Sequence, residues 1–577
     1  MIKYYLGDKG DILASRLASY ESQNLAKRLF DKDPSLWIEG PAERHQMIVD
    51  RLGWLNLPEW SLSKVKEIMQ FVAAVRKDKF TDIVLLGMGG SSLAPEVMSI
   101  TLGVKQYYPN FYMLDATDPE AVANIEKQIK LSSTLFIMSS KSGGTVETNS
   151  QFKYFYDQLS KIKKTGIGAH FVAITDDGTS LQRLAQEKGF RKIFVNPSDI
   201  GGRFSVLSFF GMVPAALMGV DLKKFLRSAI KMRKAIIETE DLKENPAIYP
   251  GLVLAELAKD GIDKMTLLIP GKFYPLGYWI EQLVAESTGK EEKGIIPVEG
   301  EPVAALRNYS SDRVFVAIGL KSQFRKLFSK KVNELKKAGM PVIVIKVSNV
   351  YDLAGEFYRW EIATAAMGVV FGIDPFDQPN VQSAKTLTNK LLANFQEKGK
   401  FPTEDPVVTS KGMSVYTNSK IWDAGKSLKT AKSLEDVLKA YLGTVTPGDY
   451  LSFLSFMAKS EAVQGLFDEW RKMITYKLRI TTLHGYGPRY LHSIGQLHKG
   501  GPNRGLFIEF VVQNDKDLQV PGEVYTFGQL KYAQAVGDYQ ALQEANCRTL
   551  RIELGKNYMK DLETFGKALE NVLEQIK

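Results

Sequence analysis

Between Asp82 and Asn196 five short apolar runs alternate with amphipathic stretches: Ile83–Leu86, Phe111–Leu114, Thr134–Met138, His170–Ile174 and Lys192–Val195. This spacing predicts an open parallel sheet covered by helices, because each run suits a buried strand and each interval leaves room for a crossover helix. Ligands in that architecture sit at the carboxyl ends of the strands. Three glycine-rich loops fall at that edge: Gly87-Met-Gly-Gly-Ser91 after the first strand, Ser140-Lys-Ser-Gly-Gly-Thr145 after the third, and Gly201-Gly-Arg-Phe-Ser205 after the fifth. Singly each is a common turn former, but three on one rim point to a site.

The middle loop says most about a ligand. Its two glycines let the backbone approach closely, the following helix offers its N-terminal amides, and Ser140, Ser142 and Thr145 add hydroxyls. The combination suits a phosphate. A capped strand-to-helix turn would use the same residue types, and the full nucleotide-binding pattern is absent.

The alternation resumes beyond a helical connector. Met265–Ile269, Gly294–Val298, Val314–Ile318 and Val342–Ile345 read as strands of a second layer of the same kind. The predicted organisation is a helical N-terminal cap at 1–80 and a first α/β domain at 81–221. A connector and second α/β domain follow at 222–399, then a linker and C-terminal α/β unit at 400–577. The linker is the stretch rich in Ser, Thr, Lys and Pro from Lys400 to about Ser433.

Composition narrows the function classes. No apolar run reaches membrane-spanning length, and the first residues lack the apolar core of a signal peptide, so a cytoplasmic protein that does not engage membranes is expected. The net charge of +10 arises from 75 basic and 65 acidic residues spread along the chain, which suits small anionic substrates better than a nucleic-acid partner. The single Cys547 excludes a disulfide framework and a cysteine-built metal site.

On the predicted helix around 277–290, Gln282 and Glu286 lie one turn apart on one face. A carboxylate so placed can serve as a general base if burial tunes its pKa; on an exposed face it would be an ordinary surface charge. Five segments then occur in the order found in glucose-6-phosphate isomerases: Gly87–Ser91, Ser140–Thr148, Gly201–Ser205, Ala285-Glu-Ser-Thr-Gly-Lys290 and Asp377-Gln-Pro-Asn-Val-Gln-Ser-Ala-Lys385. The chain resembles that family from about residue 80 to 395. Its last third, with Gly485 to Gly501, is similar to the isomerase half of transaldolase/isomerase fusion proteins. About 80 residues precede the first sheet, too few for a transaldolase barrel, so no transaldolase activity is expected.

The resemblance implies two flavodoxin-like sugar-isomerase domains with the active site between them, a homodimer, a sugar-phosphate substrate, no metal and no cofactor. It implies that Glu286 is the base that moves a proton between C2 and C1, and that Arg203 stabilises the enediolate. Ser140, Lys141, Ser142 and Thr145 match the phosphate loop, with Gly90, Ser91, Gly202 and Gln282 beside the sugar phosphate. Gln378 and Lys385 match a Gln and Lys seven residues apart, the Lys helping to open the ring.

One element departs from the family's order. The ring-opening histidine ordinarily lies between the glutamate and the lysine, yet no His occurs between Glu286 and Lys385. His492 is the first candidate and His498 the second, with Glu147 as the carboxylate that would orient the imidazole. A metal cluster is the weaker reading of His484, His492 and His498, because spacings of eight and six are not the helical ligand pair. The expected activity is interconversion of glucose 6-phosphate and fructose 6-phosphate through a cis-enediol. A glucose/mannose phosphate isomerase and a non-catalytic sugar-phosphate-binding regulator are the alternatives, the latter disfavoured by Glu286, Arg203 and Lys385 occurring together.

Overall fold

The computed structural model describes residues 2–325, 327–410, 412–417 and 431–576. The N-terminal segment begins with a strand, β1 (Ile2–Tyr5), and continues through four helices, the last being Leu57–Lys77. The first sheet holds β2 (Asp82–Gly87), β3 (Asn110–Leu114), β4 (Thr134–Ser139), β5 (Phe171–Asp176) and β6 (Lys192–Asn196), all parallel, in the order β3-β2-β4-β5-β6. Every residue of β2, β4 and β5 is buried, as expected where helices cover both faces and strands read as unbroken apolar runs. From β2 the chain steps outward to β3 and then crosses to the other side for β4. The loops after β2 and β4 therefore diverge, and a crevice opens at the carboxyl edge between them.

The second sheet repeats this plan with β7 (Lys264–Leu268), β8 (Ile296–Val298), β9 (Arg313–Leu320) and β10 (Val342–Val347). Its order is β1-β10-β9-β7-β8, parallel except for β1, which runs antiparallel to β10 with Ile2 opposite Ile345. The N-terminal segment is thus not purely helical. Four residues are too few for a readable alternation, and their partner lies some 340 positions away.

The third unit holds β11 (Val408–Ser410), β12 (Met413–Thr417), β13 (Tyr450–Phe456), β14 (Thr481–Tyr486), β15 (Gly505–Val512) and β16 (Arg548–Leu554), in the order β11-β12-β16-β15-β13-β14. Part of the stretch read as a linker therefore enters this sheet as an edge hairpin. The remainder of that reading, at 418–430, lies outside the described residues. β13 escaped the sequence reading because Tyr-Leu-Ser-Phe-Leu-Ser-Phe mixes serines into a strand that is buried along its whole length.

Two packing features position the site. Trp54 of the N-terminal segment, Phe204 of the loop after β6 and Phe376 of the loop before Gln378 form a ring cluster, with centroids 4.9 Å apart for Trp54 and Phe204 and 5.2 Å for Phe204 and Phe376. Tilted contacts of this kind fix both loops against one another. The helix carrying Lys385, Val381–Lys398, crosses the helix Phe527–Glu544 of the third unit at Gly537. A Cβ there would lie 2.7 Å from Thr388 Oγ1 and 2.9 Å from its backbone nitrogen, so the crossing requires glycine.

Candidate active site

The glycine loops meet at the carboxyl edge of the first sheet. A Cβ on Gly90 would stand 2.1 Å from the Gly202 carbonyl oxygen, so the loops after β2 and β6 touch backbone to backbone. Between them and β5, the Ser140 hydroxyl accepts the Gly143 amide at 3.1 Å and pairs with Thr145 Oγ1 at 2.9 Å. Thr145 makes no side-chain cap on the helix Val146–Ile162, which leaves that helix's first amides for an anion. The Lys141 ammonium turns aside to Asp176, 2.5 Å away, and the Lys141 carbonyl accepts the Asp176 amide. Ser142 is exposed at the loop tip.

Arg203 is the hub. Its Nε donates to Ser287 at 2.7 Å, Nη2 to the carbonyls of Pro375 and Asp377 at 2.7 and 2.8 Å, and Nη1 to Gln378 Oε1 at 2.8 Å. A guanidinium carries five N–H groups, so these bonds use four. The remaining Nη1 donor lies on the side of Glu286, whose Oε2 is 3.7 Å from Nη1. Glu286 is buried on the helix Leu276–Thr288, and burial raises its pKa above the ordinary carboxylate value despite the opposing charges of Arg203, His492, Lys385 and Lys290. A base raised in this way holds a proton more readily near neutral pH.

His492 reaches this cleft from the short turn Arg489–His492 of the third unit. Its Nε2 bonds Glu147 Oε1 at 2.9 Å, and its carbonyl accepts Gln282 Nε2 at 2.7 Å. Burial alone would raise the Glu147 pKa, but the charge and hydrogen bond of His492 outweigh it and hold the carboxyl below its usual range. Gln282 and Glu286 project from one helix face, so the backbone of His492 is fixed one turn from Glu286. Lys385 is exposed on the helix Val381–Lys398, and its charge bears on both Glu147 and Glu286. His492 and Glu286 thus meet within one chain.

The other histidines lie elsewhere. His498, the second candidate, is buried against Phe507 with its ring centroid 4.7 Å away, neither nitrogen has a hydrogen-bond partner, and burial pushes its pKa well below the ordinary value. It is a core residue, because the helix Gly495–Gly500 turns it from the cleft into the third unit. His484 stacks on Phe467 and bonds Ser455. Among the described residues no group of His, Cys, Asp and Glu could hold a metal ion.

Sequence reasoning assigned no role to Lys290 or Gln496. The buried Lys290 ammonium donates to the carbonyls of Asp374 and Asp377 and to the Asp377 carboxylate at 2.6–2.7 Å, and burial brings its pKa down to about 8. Gln496 donates to the Gly289 carbonyl and Asn380 Oδ1 and accepts the Asn380 amide. Both brace the Gln378 loop. Their only signal was position inside motifs already noted.

Behind the cleft, burial raises Glu281 to about 7 and Glu299 to about 8. The Glu281 charge adds to the rise at Glu299, opposed by Arg471, Lys459 and Arg489, while the Ser493 hydrogen bond and the charges of Arg489 and Arg471 oppose the rise at Glu281. A carboxyl whose folded pKa lies above its unfolded value stabilises the fold fully below the unfolded pKa and less as pH rises through the folded one. Wild type should therefore lose stability between about pH 4.5 and 8 at Glu299. Glu299→Gln should melt at nearly the wild-type temperature at acidic pH and above it in alkaline buffer; calorimetry at both ends checks this.

Twin parallel sheets, with glycine loops at one edge and a buried glutamate and arginine beside them, define an α/β protein of the sugar-isomerase-domain class. The phosphoglucose isomerase family model matches residues 47–295. A probable glucose-6-phosphate isomerase of Methanococcus maripaludis is 28% identical over 70% of this chain and 98% of its own. The glucose-6-phosphate isomerase of Carboxydothermus hydrogenoformans is 30% identical over 60% of this chain and 86% of its own. A solved glucose-6-phosphate isomerase of Chlamydia trachomatis superposes with a TM-score of 0.56 at 18% identity, covering 69% of this chain and 89% of that one, a likeness of fold. The chain belongs to the phosphoglucose isomerase family.

Proposed function

We propose that this chain interconverts glucose 6-phosphate and fructose 6-phosphate, in glycolysis and gluconeogenesis, by ring opening and a cis-enediol proton transfer. The observation that carries the reading is the buried Glu286 beside Arg203, with one guanidinium N–H unspent and the amide-bearing loop of Ser140 to Thr145 in the same crevice. The loop takes the phosphate, with Gly90, Ser91, Gly202 and Gln282 beside it. His492, as the imidazolium, gives a proton to the ring oxygen as the ring C–O bond breaks. The anomeric hydroxyl loses its proton to solvent, with Lys385 balancing the charge. Glu286 then takes the proton from C2 of the aldose, the O2 hydroxyl proton passes to O1 in the enediol, and Glu286 returns its proton to C1, while Arg203 holds the negative charge that develops on the enediolate oxygens.

A coupled assay of fructose 6-phosphate turnover, with His492→Asn beside wild type, tests this. Wild-type activity with a loss of about 10²-fold in the variant is expected, within the range for removing a general acid or base. A wild type that binds but does not convert the sugar phosphate sinks the reading. A cytoplasmic place and a homodimer belong to the same proposal; no helix among the described residues is long and apolar enough to cross a membrane. Because His492, Glu286 and Lys385 lie in one chain, specific activity should hold steady as the enzyme is diluted, a result that sedimentation at matching concentrations would relate to oligomeric state.

A further inference from the structure

We propose that Gln534, from the third unit, is a positioning residue for ring opening: it holds Glu147 as an ionised acceptor, so that His492 keeps its proton on Nε2 and leaves Nδ1 to the substrate. The inference rests on the isomerase reading above. Glu147 Oε1 accepts Gln534 Nε2 at 2.8 Å and faces His492 Nε2 at 2.9 Å. The Gln534 N–H bond favours the ionised carboxyl, and an ionised Glu147 can only accept, which makes Nε2 of His492 the donor. Thr117 sets the amide's direction, its hydroxyl donating to Gln534 Oε1 at 2.6 Å. The flipped amide would set its oxygen against the carboxylate, acceptor against acceptor. Thr117, Gln534 and Glu147 are 0, 3 and 4% exposed, so water cannot replace the missing donor. Among the described residues Nδ1 of His492 has no hydrogen-bond partner, and the side chain is 17% exposed.

The helix Phe527–Glu544 is docked to hold this geometry. Lys531, one turn before Gln534, makes a buried 2.9 Å ion pair with Asp118, and Asp538, one turn after, accepts the Tyr490 hydroxyl at 2.7 Å, two residues from His492. Residues 531, 534 and 538 form a single polar stripe on the helix. The helix thereby ties the first domain, through Asp118 and Glu147, to the turn that carries His492. Without Gln534 the buried Glu147 would take up a proton at higher pH and donate it to Nε2, which leaves a neutral imidazole, a far weaker acid at Nδ1 than the imidazolium that ring opening uses.

Full-length wild type, Gln534→Leu and Gln534→Glu are compared in the fructose 6-phosphate assay across about pH 5 to 9, the range in which His and shifted carboxylates titrate. For Gln534→Leu the expected result is kcat lowered at least about tenfold near pH 7, KM nearly unchanged, and the acidic limb moved up by about one pH unit. Gln534→Glu should do worst in alkali, where two carboxylates face each other, and recover toward acid, where the new carboxyl can donate to Glu147. Unchanged kcat and limb in Gln534→Leu would overturn the inference, as would a loss equal at every pH in both variants, which is what packing alone predicts. A wild type without turnover instead removes the isomerase reading itself, and this inference with it.

Discussion

Glu286→Gln should lower kcat for fructose 6-phosphate by about 10²-fold or more, the range for removal of a general base, while KM changes little. The amide is nearly isosteric, so the helix Leu276–Thr288 and the Arg203 contacts to Ser287, Pro375 and Asp377 should remain. Only proton transfer is lost. Two further measurements make the result specific. Exchange of the C1 and C2 hydrogens with deuterated solvent should fall in parallel with turnover, whereas ring opening, which depends on His492, should persist. Because burial raises the Glu286 pKa, the acidic limb of the wild-type profile should lie above the ordinary carboxylate value of 4.5, with activity falling as pH drops through it. Exchange at the wild-type rate in the glutamine variant would place the base elsewhere.

Arg203→Lys should lower kcat by about 10² to 10³, the scale for losing a preorganised donor to a developing oxyanion, and should also lower the melting temperature. The charge survives this substitution but the geometry does not. The guanidinium spans Ser287, Gln378 and two backbone carbonyls from a position 3% exposed, a fork that an ammonium on a flexible stem cannot reproduce. The Pro375 and Asp377 carbonyls would lose a buried donor, leaving the Gln378 loop to Lys290, Gln496, the Arg51 bond to the Phe376 carbonyl and the Phe376 ring contacts. Steady-state kinetics and thermal melts separate the two effects. Activity within tenfold of wild type would mean that the enediolate charge is stabilised by another group.

Much of the framework was legible because it is local. The strands β2 to β10 announce themselves as apolar runs between turn residues, and the glycine loops follow from the strands they end. What escaped is pairwise and distant. β1 is recognisable only beside β10, and β13 only once helices bury both of its faces. Within the site, Glu286, Arg203 and Gln378 stand in motifs of their own, yet Lys290 and Gln496 act on a loop far away in sequence, and nothing in their neighbours says so.

The histidine marks the boundary most clearly. Period and spacing, which are properties of neighbouring residues, determined two α/β sheets and the loops at their rim, and the ordered motifs shared with glucose-6-phosphate isomerases added the sugar-isomerase reading and a short list of acids, bases and cations. His492 and His498 stand six apart on one segment and could not be told apart that way. The tertiary structure separates them, turning His498 into an aromatic core and His492 onto Glu147, 345 positions away. The physical reason is that burial and partnership are set by which helix faces dock, and the Phe527–Glu544 helix docks through Lys531, Gln534 and Asp538 on three different parts of the chain.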